Sequence, residues 1–386
     1  MKKIIIPALA AVTAAMLCYT VFAQKNHPDA QNPVTLDWQT DEKQDTAEDG
    51  TVLFTGRCNY PIVSIEGNEA AADKINADIQ SRISLFQQDT SIQNFAKEDF
   101  VPENSGFIGY SSDFTFSLRR ADRNVISFEA FYSAYSGGAH GNYTSIGINY
   151  NTQTGEQIDF ENLGENADAF LADTFAYNRM LADTKPYQNK MYGQPSDEDL
   201  KSVLYAEDKW FFSTDGLVFI SDTYALGPYA GGSINFTVPY REVELMGLRE
   251  EYRYPGPFTM HLQDGLPVLW DLNGDGTEET VLTYVVYDEI AFHLLINDTE
   301  IVTDANEELF QLLHDYSFAS CTLYDLNPSD QTVEIAVITI EHGRDDDNPV
   351  IQSHLFRYEK DASVTYLGIM DGDISAPFAE PSLTAP

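Results

Sequence analysis

The sequence is poor in basic residues. Its 22 lysines and arginines stand against 61 aspartates and glutamates, which gives a formal net charge of −39 at pH 7. Because like charges repel, this balance argues against nucleic acid and anionic membrane surfaces as partners and favours cations and cationic proteins. An acidic surface that serves only solubility is the alternative interpretation of the same charge.

Cysteine and the common catalytic motifs are also scarce. The three cysteines form no C-x-x-C pair, so neither a thiolate zinc site nor a thioredoxin-type site is supported. We expect Cys58 and Cys321 to be separate buried thiols rather than a disulfide. The chain contains no H-E-x-x-H, G-x-S-x-G or phosphate-loop pattern, and its seven histidines include no pair at helical metal-binding spacing. These absences predict a protein that is not an enzyme.

The N-terminus is typical of an export signal. Lys2 and Lys3 precede the apolar run Ile4–Leu17, and Val21-Phe22-Ala23 resembles a cleavage site. The pattern predicts a signal peptide over residues 1–23 and an extracytoplasmic protein, secreted or tethered at the cell surface. The uncharged stretch 4–23 is also long enough for an uncleaved membrane anchor. Residues 24–50 are acidic and without helical or strand periodicity, which predicts a flexible spacer.

Residues 51–163 predict an α+β domain with a helix packed on an antiparallel sheet. Apolar residues recur every three or four positions from Asn68 to Gln87, which indicates an amphipathic helix. Strand-like stretches rich in β-branched and aromatic residues precede and follow it. They are Thr51–Thr55, Tyr60–Ile65, Phe114–Leu118, Val125–Tyr135 and Tyr143–Tyr150.

Residues 164–246 repeat this order and predict a second α+β domain. A helix is predicted over Asp168–Leu181, and a short one over Asp197–Leu204. The apolar set of the first helix is Phe170, Leu171, Phe175 and Leu181. Strands are predicted at Trp210–Phe212, Gly216–Ile220 and Ser233–Val238.

Two glycine-rich segments, Tyr135–Asn142 and Tyr224–Ser233, lie at what we interpret as equivalent corners of the two domains. Glycine is used where the backbone needs a positive φ or where another chain approaches closely. Tyrosine is favoured at protein interfaces and in glycan contacts, which makes the rings of these corners candidate ligand-binding residues. Ordinary sheet faces, with a structural histidine bonded to a backbone carbonyl, are the alternative. The candidates are Tyr135, His140, Tyr143, Tyr224 and Tyr229.

The first corner carries a family resemblance. Tyr135-Ser-Gly-Gly-Ala-His-Gly-Asn142, followed by Asn149-Tyr150-Asn151 and Thr154-Gly155-Glu156, resembles the N-terminal, non-catalytic domain of PdaC-type peptidoglycan deacetylases. The resemblance implies an envelope domain without catalytic residues of its own. No polysaccharide-deacetylase domain follows, and the aspartate and histidine metal motifs of that fold are missing.

The second corner resembles a different partner domain. Phe211–Phe219, continuing to Tyr229-Ala-Gly-Gly232 and Val238-Pro-Tyr240, is similar to the domain that follows the PdaC-like domain in RsiV-type anti-sigma factors. In that family the extracytoplasmic pair acts as a receptor for C-type lysozyme, so the resemblance implies a lysozyme-like ligand. The N-terminus here is too short for a cytoplasmic sigma-binding domain, and an anti-sigma role is not implied.

Residues 252–370 predict a β-rich domain with blade-like repeats, and residues 371–386 a disordered tail. An acidic loop that leads into a strand occurs at Asp271–Glu279 and again at Asp325–Glu334. Oxygen-bearing side chains at alternate positions suit calcium, and the first loop resembles the calcium loops of integrin-type β-propeller repeats. An acidic hairpin turn without metal is the alternative. The predicted ligands are Asp271, Asn273, Asp275, Thr277 through its carbonyl, and Glu279.

The sequence therefore predicts an exported, non-enzymatic binding protein of the bacterial cell envelope. Its partner would be a cationic protein such as a lysozyme, or a peptidoglycan-type glycan, and its cofactor calcium. Two alternatives remain open at this stage. One is a cell-wall hydrolase or deacetylase with a site near His140, and the other is a structural surface protein without a discrete ligand.

Overall fold

The computed structural model describes residues 33–102, 106–256, 259–286, 291–301, 317–327, 330, 332–341, 350–374 and 383–384. The chain divides into two compact units. Of the described residues, we call 33–184 with 188–253 the N-terminal unit, and those from Tyr254 onward, with which residues 185–187 are grouped, the C-terminal unit. The predicted signal segment over residues 1–23 lies outside the described residues.

The N-terminal unit begins with a five-stranded sheet. Its strands follow one another in chain order across the sheet, and only the second and third are parallel. A parallel connection needs a crossover, which two helices provide. The strands are β1 (Val34–Thr46), β2 (Val52–Ile65), β3 (Tyr110–Ala121), β4 (Val125–Tyr135) and β5 (Asn142–Asn151), and the helices are α1 (Glu69–Gln88) and α2 (Ser91–Asp99).

Helix α1 confirms the helix predicted from Asn68 to Gln87. It buries Ala72, Ile75, Ile79 and Ile83, which lie at the predicted three- and four-residue spacing. Two other expectations for this region are wrong, and one helix was not expected. The spacer predicted over 24–50 contains β1, the two predicted strands over 51–65 form the single strand β2, and α2 has no predicted counterpart.

Edge position explains why β1 does not look like a strand in sequence. Only Val34 and Leu36 are buried, whereas the acidic residues that follow are mostly exposed along the edge of the sheet. Charged side chains are compatible with an edge strand, where they also discourage pairing with other chains.

The second part of the N-terminal unit contains a three-stranded antiparallel sheet and several helices. The strands lie in the order β6–β7–β8. Asn166 caps the first helix by accepting a hydrogen bond from the Ala169 amide, and Ser196 and Asp199 form a capping box on a later one. The elements are α3 (Ala167–Asp183), α5 (Asp197–Leu204), β6 (Trp210–Phe212), β7 (Gly216–Phe219), β8 (Phe236–Pro239) and α6 (Tyr240–Leu245). Helix α4 (Lys185–Lys190) lies between α3 and α5 in the chain, and its residues are divided between the two units.

The buried face of α3 differs from the predicted one. Leu171 is 44% exposed, whereas Phe170, Thr174, Asn178 and Ala182 are buried at a regular spacing of four. Two polar side chains can occupy this face because they are bonded. The Thr174 hydroxyl donates to the Phe170 carbonyl, and the Asn178 amide donates to the Tyr205 hydroxyl.

The two predicted α+β domains form one compact unit because strand β6 lies directly against β5. The Gly147 amide donates to the Asp208 carbonyl at 2.8 Å, and the Asn149 side chain donates to the Trp210 carbonyl at 3.2 Å. A Cβ on residue 147 would lie 1.7 Å from that same carbonyl oxygen. Glycine is therefore required here for close backbone approach.

The C-terminal unit is β-rich, as predicted. One sheet has the order β10–β11–β12–β13 and the other β18–β17–β16–β15–β14–β9, all antiparallel. A single core cluster takes Val281 and Leu294 from the first sheet and Leu323, Ile335 and Phe356 from the second. The strands are β9 (Thr259–His261), β10 (Val268–Trp270), β11 (Glu279–Val286), β12 (Ala291–Ile296), β13 (Thr299–Glu300), β14 (Ser317–Tyr324), β15 (Glu334–Glu341), β16 (Val350–Tyr358), β17 (Val364–Asp371) and β18 (Leu383–Thr384).

The disordered tail predicted over 371–386 is wrong at two places. Ile374 is buried in a second cluster of the larger sheet, and its amide donates to the Ser353 hydroxyl. Strand β18 pairs with β17. The thiol prediction is confirmed, since Cys58 and Cys321 are both free and buried.

We expect the stability of the C-terminal unit to fall between pH 6.5 and 4 because of His354. This side chain is buried, and burial lowers its pKa from 6.5 to about 4. In that range the unfolded chain binds a proton that the folded chain does not. The free energy of unfolding of the C-terminal unit should therefore fall by about 3 kcal/mol as the pH falls. Denaturant unfolding across this range measures the loss. His354→Gln should flatten the profile, whereas equal slopes in wild type and His354→Gln would contradict the assignment.

Candidate functional site

The two glycine-rich segments meet in the structure, although 84 positions separate His140 from Tyr224. The His140 ring stacks on the Tyr229 ring with 3.9 Å between centroids and 17° between planes. The Tyr224 hydroxyl lies 3.4 Å from Nε2 of His140. These segments are thus not equivalent corners of separate domains, as the sequence suggests, but two halves of one surface.

Four of the five predicted ligand-binding residues share this surface. The Tyr143 ring contacts the Tyr229 ring edge-on at 5.8 Å, and the Tyr224 ring lies 5.6 Å from Tyr229. We call His140, Tyr143, Tyr224 and Tyr229 the aromatic cluster. Tyr224 is 50% exposed and the other three are half-buried, so the cluster presents ring faces and hydroxyls to solvent. The fifth residue, Tyr135, packs its ring on Tyr110 instead.

The histidine of the cluster has a defined tautomer when neutral. Its Nδ1 lies 2.9 Å from the Gly141 carbonyl oxygen, which can only accept a hydrogen bond. The proton of the neutral ring is therefore on Nδ1, and Nε2 is left as an acceptor for the Tyr224 hydroxyl. This bond to a backbone carbonyl is the one that a structural histidine would make.

Burial raises the pKa of both central tyrosines. For Tyr143 burial is the larger cause, and the neighbouring Tyr229 adds to it. For Tyr229 burial again leads, followed by Tyr224. Both phenols therefore stay protonated at neutral pH and can donate hydrogen bonds to a ligand.

Tyr224 has an uncommon backbone conformation. Its φ is +67°, in the left-handed region that bulky side chains seldom adopt. Strained residues of this kind are concentrated at functional sites, where the surrounding structure must hold them in place. A specific anchor is present next to it. Asp222 accepts hydrogen bonds from the Ser145 amide at 3.1 Å and from Lys209 Nζ at 2.6 Å.

This anchor was not predicted from the sequence. Lys209 Nζ also donates to the Ser145 carbonyl at 2.7 Å, so one lysine joins β5 to the segment that carries Tyr224. Gly137 has a φ of +91°, which residues with a side chain rarely adopt, and a Cβ there would lie 2.9 Å from the Tyr110 hydroxyl. In the sequence, only the spacing of the glycines indicates that these two segments are unusual. That spacing cannot show that the two glycine-rich segments contact each other.

The predicted calcium loop connects β10 and β11. The Asp271 carboxylate accepts from the Asp275 amide at 3.1 Å and the Gly276 amide at 2.9 Å, and Asn273 also accepts from Asp275 at 3.0 Å. The Glu279 carboxylate accepts from the Leu272 amide at 2.9 Å. The Thr277 amide donates to Asp275. The loop thus curls its side-chain oxygens over its own backbone.

Glu279 is the electrostatically unusual member of the loop. It is buried, and burial raises the pKa of its carboxyl, with further contributions from Asp275 and Asp271. The second acidic loop holds Glu334 in a matching way, since its carboxylate accepts from the Leu326 amide at 3.0 Å. There Arg357 supplies the positive charge, with its Nε 2.8 Å from Glu334.

The fold class is α+β, with helices on sheets that are antiparallel except for the pair β2 and β3, and a β-rich C-terminal region. Residues 48–143 match the family described as deacetylase PdaC, and residues 159–241 match a family of proteins of unknown function, DUF3298. The predicted domain pair is therefore present. No curated protein matches the chain.

Two solved structures of DUF3298 family members are similar to part of the chain. One, from Bacteroides fragilis NCTC 9343, has 16% identity and a TM-score of 0.40, covering 57% of this chain and 96% of its own. The other, from Pseudomonas aeruginosa PAO1, has 14% identity and a TM-score of 0.40, covering 58% and 99%.

Two further observations concern the described residues alone. No helix among them is long and apolar enough to cross a membrane. They also contain no group of three or more histidine, cysteine, aspartate or glutamate side chains arranged to hold a metal ion.

Proposed function

We propose that this chain is a non-enzymatic binding protein of the bacterial envelope, exported to the extracytoplasmic side, that recognises a cationic protein of the lysozyme kind. The observation that carries the proposal is the aromatic cluster, in which His140 and three tyrosines from distant segments form one half-exposed surface. Tyrosine clusters of this kind supply a large rigid contact area together with hydrogen-bond donors.

Charge supports a cationic partner over a neutral one. A net charge of −39 attracts basic proteins over long distances and raises their rate of association. The family match adds the PdaC-like and DUF3298 pair, which in RsiV-type proteins serves as a lysozyme receptor. Salt can separate these two contributions to binding. It screens the long-range attraction between opposite charges much more than the direct contact with the aromatic cluster.

We expect C-type lysozyme to bind saturably and to remain bound at ~150 mM salt, where exposed charges are screened beyond about 8 Å. Tyr229→Ala removes the ring on which His140 stacks and should weaken binding by about 30-fold or more, the loss typical of a central interface residue. Calorimetric titration at two salt concentrations measures both effects.

The matched control is Phe95→Ala. Phe95 is an aromatic residue of the N-terminal unit with 50% exposure, the same as Tyr224, but it lies on α2. Its loss should leave binding unchanged. Binding that disappears at ~150 mM salt, or that is equal in wild type and Tyr229→Ala, would contradict the proposal, and peptidoglycan fragments would then replace lysozyme as the ligand to titrate.

A deacetylase or hydrolase is the second candidate, and one observation favours it. The Nε2 of His140 is an acceptor directed at an exposed hydroxyl, an arrangement that a general base also requires. Release of acetate or of sugar ends from peptidoglycan by the wild type, abolished in a folded His140→Ala variant, would support the enzyme. Lysozyme binding without turnover in either form would support the receptor.

We also propose that the loop over Asp271–Glu279 binds calcium. Its donors are oxygens, the type that calcium prefers, and Asp275 and Asp271 lie close enough to the buried Glu279 to help raise the pKa of its carboxyl, so a cation in the loop would offset the repulsion among these carboxylates. In the second acidic loop the guanidinium of Arg357 already neutralises the matching Glu334. Asp271, Asn273, Asp275 and Glu279 would contribute side chains and Thr277 its carbonyl.

Calcium should stabilise the C-terminal unit by about 2.7 kcal/mol at 100 times its dissociation constant. Thermal unfolding with calcium, with magnesium and with chelator measures the shift. Asp275→Asn should remove most of it, whereas Asp330→Asn in the second loop should leave it intact. A melting temperature that is the same with calcium and with chelator would rule out the site.

A further inference from the structure

A cleft of about 260 Å³ opens in the N-terminal unit between the sheet and the junction of α1 and α2. Its floor is formed by Gly56, Cys58 and Ser112, which have small side chains or none. The rings of Phe54 and Phe86 also line it. An apolar cavity of roughly 150 Å³ is enough for benzene, so this cleft has room for a larger aromatic molecule.

Strand register brings the lining residues of the sheet together. Gly56 of β2 pairs with Lys43 of β1 on one side and with Ser112 of β3 on the other. Residues two apart on a strand share a face, which places Phe54 and Cys58 on either side of Gly56. The Phe54 ring lies over Gly56, since a Cβ there would be 3.0 Å from the ring, and it forms an apolar wall next to Ser112.

Two polar groups that line the cleft on the sheet side form no hydrogen bond with any described side chain or backbone group. They are the Ser112 hydroxyl, on a residue 7% exposed, and the Cys58 thiol, on a residue 2% exposed. Burial raises the pKa of Cys58 to about 12, so the thiol carries no charge. Because Ser112 lines the cleft and its hydroxyl can both donate and accept, it can bond a polar group of a ligand that enters.

The rim of the cleft is rich in acceptors. Asp41 and Asp89 form no ion pair with any described residue, although Asp41 accepts from Gln87 Nε2 at 3.0 Å and Asp89 from the Ser91 amide at 2.9 Å. The two basic residues of the rim already have partners within the protein. Lys43 donates to Gln93 at 2.8 Å, and Arg57 pairs with Glu42 at 3.0 Å.

We propose that this cleft binds a small organic cation with an aromatic middle and a polar group at its far end. The ammonium would lie at the rim with Asp41 and Asp89, the aromatic ring against Phe54 and Phe86, and the far hydroxyl on Ser112. Each part of the ligand matches one feature of the cleft: the carboxylate acceptors, the apolar walls and the hydroxyl of Ser112. The site is independent of the aromatic cluster.

Tyramine is the probe that carries all three groups. Two analogues each lack one of them: tyrosol has a neutral hydroxyl in place of the ammonium, and phenethylammonium lacks the phenol hydroxyl. Ligand-observed NMR titration of the full chain should give a dissociation constant of about 1 mM for tyramine, as expected for so small a molecule. Tyrosol should bind about tenfold more weakly, and phenethylammonium about threefold more weakly.

Single substitutions locate the binding. Ser112→Ala should abolish the preference for tyramine over phenethylammonium, whereas Ser111→Ala, one position away on the same strand, should retain it. Asp41→Asn should weaken tyramine but not tyrosol, and Asp37→Asn, also on β1, should change neither. Asp41 and Asp37 are exposed, so these variants fold even where the buried serine variant does not.

The proposal is overturned if tyramine does not bind, if tyramine and tyrosol bind equally, or if the preference survives Ser112→Ala in a folded protein. Tyr229→Ala should leave tyramine binding unchanged. If Tyr229→Ala loses tyramine binding, tyramine binds at the aromatic cluster, and the assignment to the cleft is overturned.

Discussion

We expect Arg120→Ala to lower the free energy of unfolding of the N-terminal unit by about 3–5 kcal/mol. Arg120 is fully buried, and its Nε lies 2.6 Å from the Asp122 carboxylate. Its Nη atoms donate to the Tyr240 hydroxyl at 2.8 Å and to the carbonyls of Tyr252 and Arg253 at 2.6 and 2.9 Å. Truncation leaves these acceptors buried without their donor, which is the costly case for a charged network.

Lysine should not rescue this position. The guanidinium of Arg120 serves acceptors in several directions and also lies over the Phe212 ring at 5.1 Å, and a single ammonium cannot reproduce that fork. Arg120→Lys should therefore be destabilised nearly as much as Arg120→Ala. Denaturant unfolding followed by tryptophan fluorescence measures both.

The control is the adjacent arginine. Arg119 pairs with Glu129, which is mostly buried, but keeps 38% of its own side chain exposed, so Arg119→Ala should cost about 1–2 kcal/mol, clearly less than Arg120→Ala. Equal losses in Arg119→Ala and Arg120→Ala would contradict the role assigned to the buried guanidinium.

Local patterns predict local elements well in this chain. Helix α1 follows from a run of apolar residues at helical spacing, and β4 from β-branched and aromatic residues, because both patterns are created by the buried face of one element. Strand β1 was missed because an edge strand with only two buried residues, Val34 and Leu36, leaves almost no alternation in its sequence.

The site could be predicted only in part. Glycine and tyrosine composition identifies the residues of the aromatic cluster, but not that His140 stacks on Tyr229, because that contact depends on how β5 and β6 pack. The structural roles of Arg120 and Lys209 could not be predicted, because in a single sequence a buried basic residue cannot be distinguished from an exposed one. In the same way, the cleft depends on the register that places Gly56 beside Ser112.

Gly147→Ala is the second variant from which we expect a large effect, a loss of about 3 kcal/mol or more. The new methyl would lie 1.7 Å from the Trp210 carbonyl oxygen, so β6 must move away from β5. That shift breaks the bond from the Gly147 amide to Asp208 and strains the bond from Asn149 to Trp210. Gly231→Ala is the control, since its nearest neighbour would be 3.3 Å away.

The same variant tests whether the two family-matched regions fold together. Phe212 donates its amide to the Ser127 hydroxyl and to Asn149 Oδ1, both at 3.1 Å, so β4, β5 and β6 share one buried polar network. Gly147→Ala should therefore speed hydrogen exchange in residues 48–143 and in residues 159–241 alike. Faster exchange confined to 159–241 would mean that the regions unfold separately. Lysozyme binding should also fail in Gly147→Ala, although the side chains of the aromatic cluster are unchanged. The substitution displaces β5, which carries Tyr143, from the segment after β7, which carries Tyr224 and Tyr229.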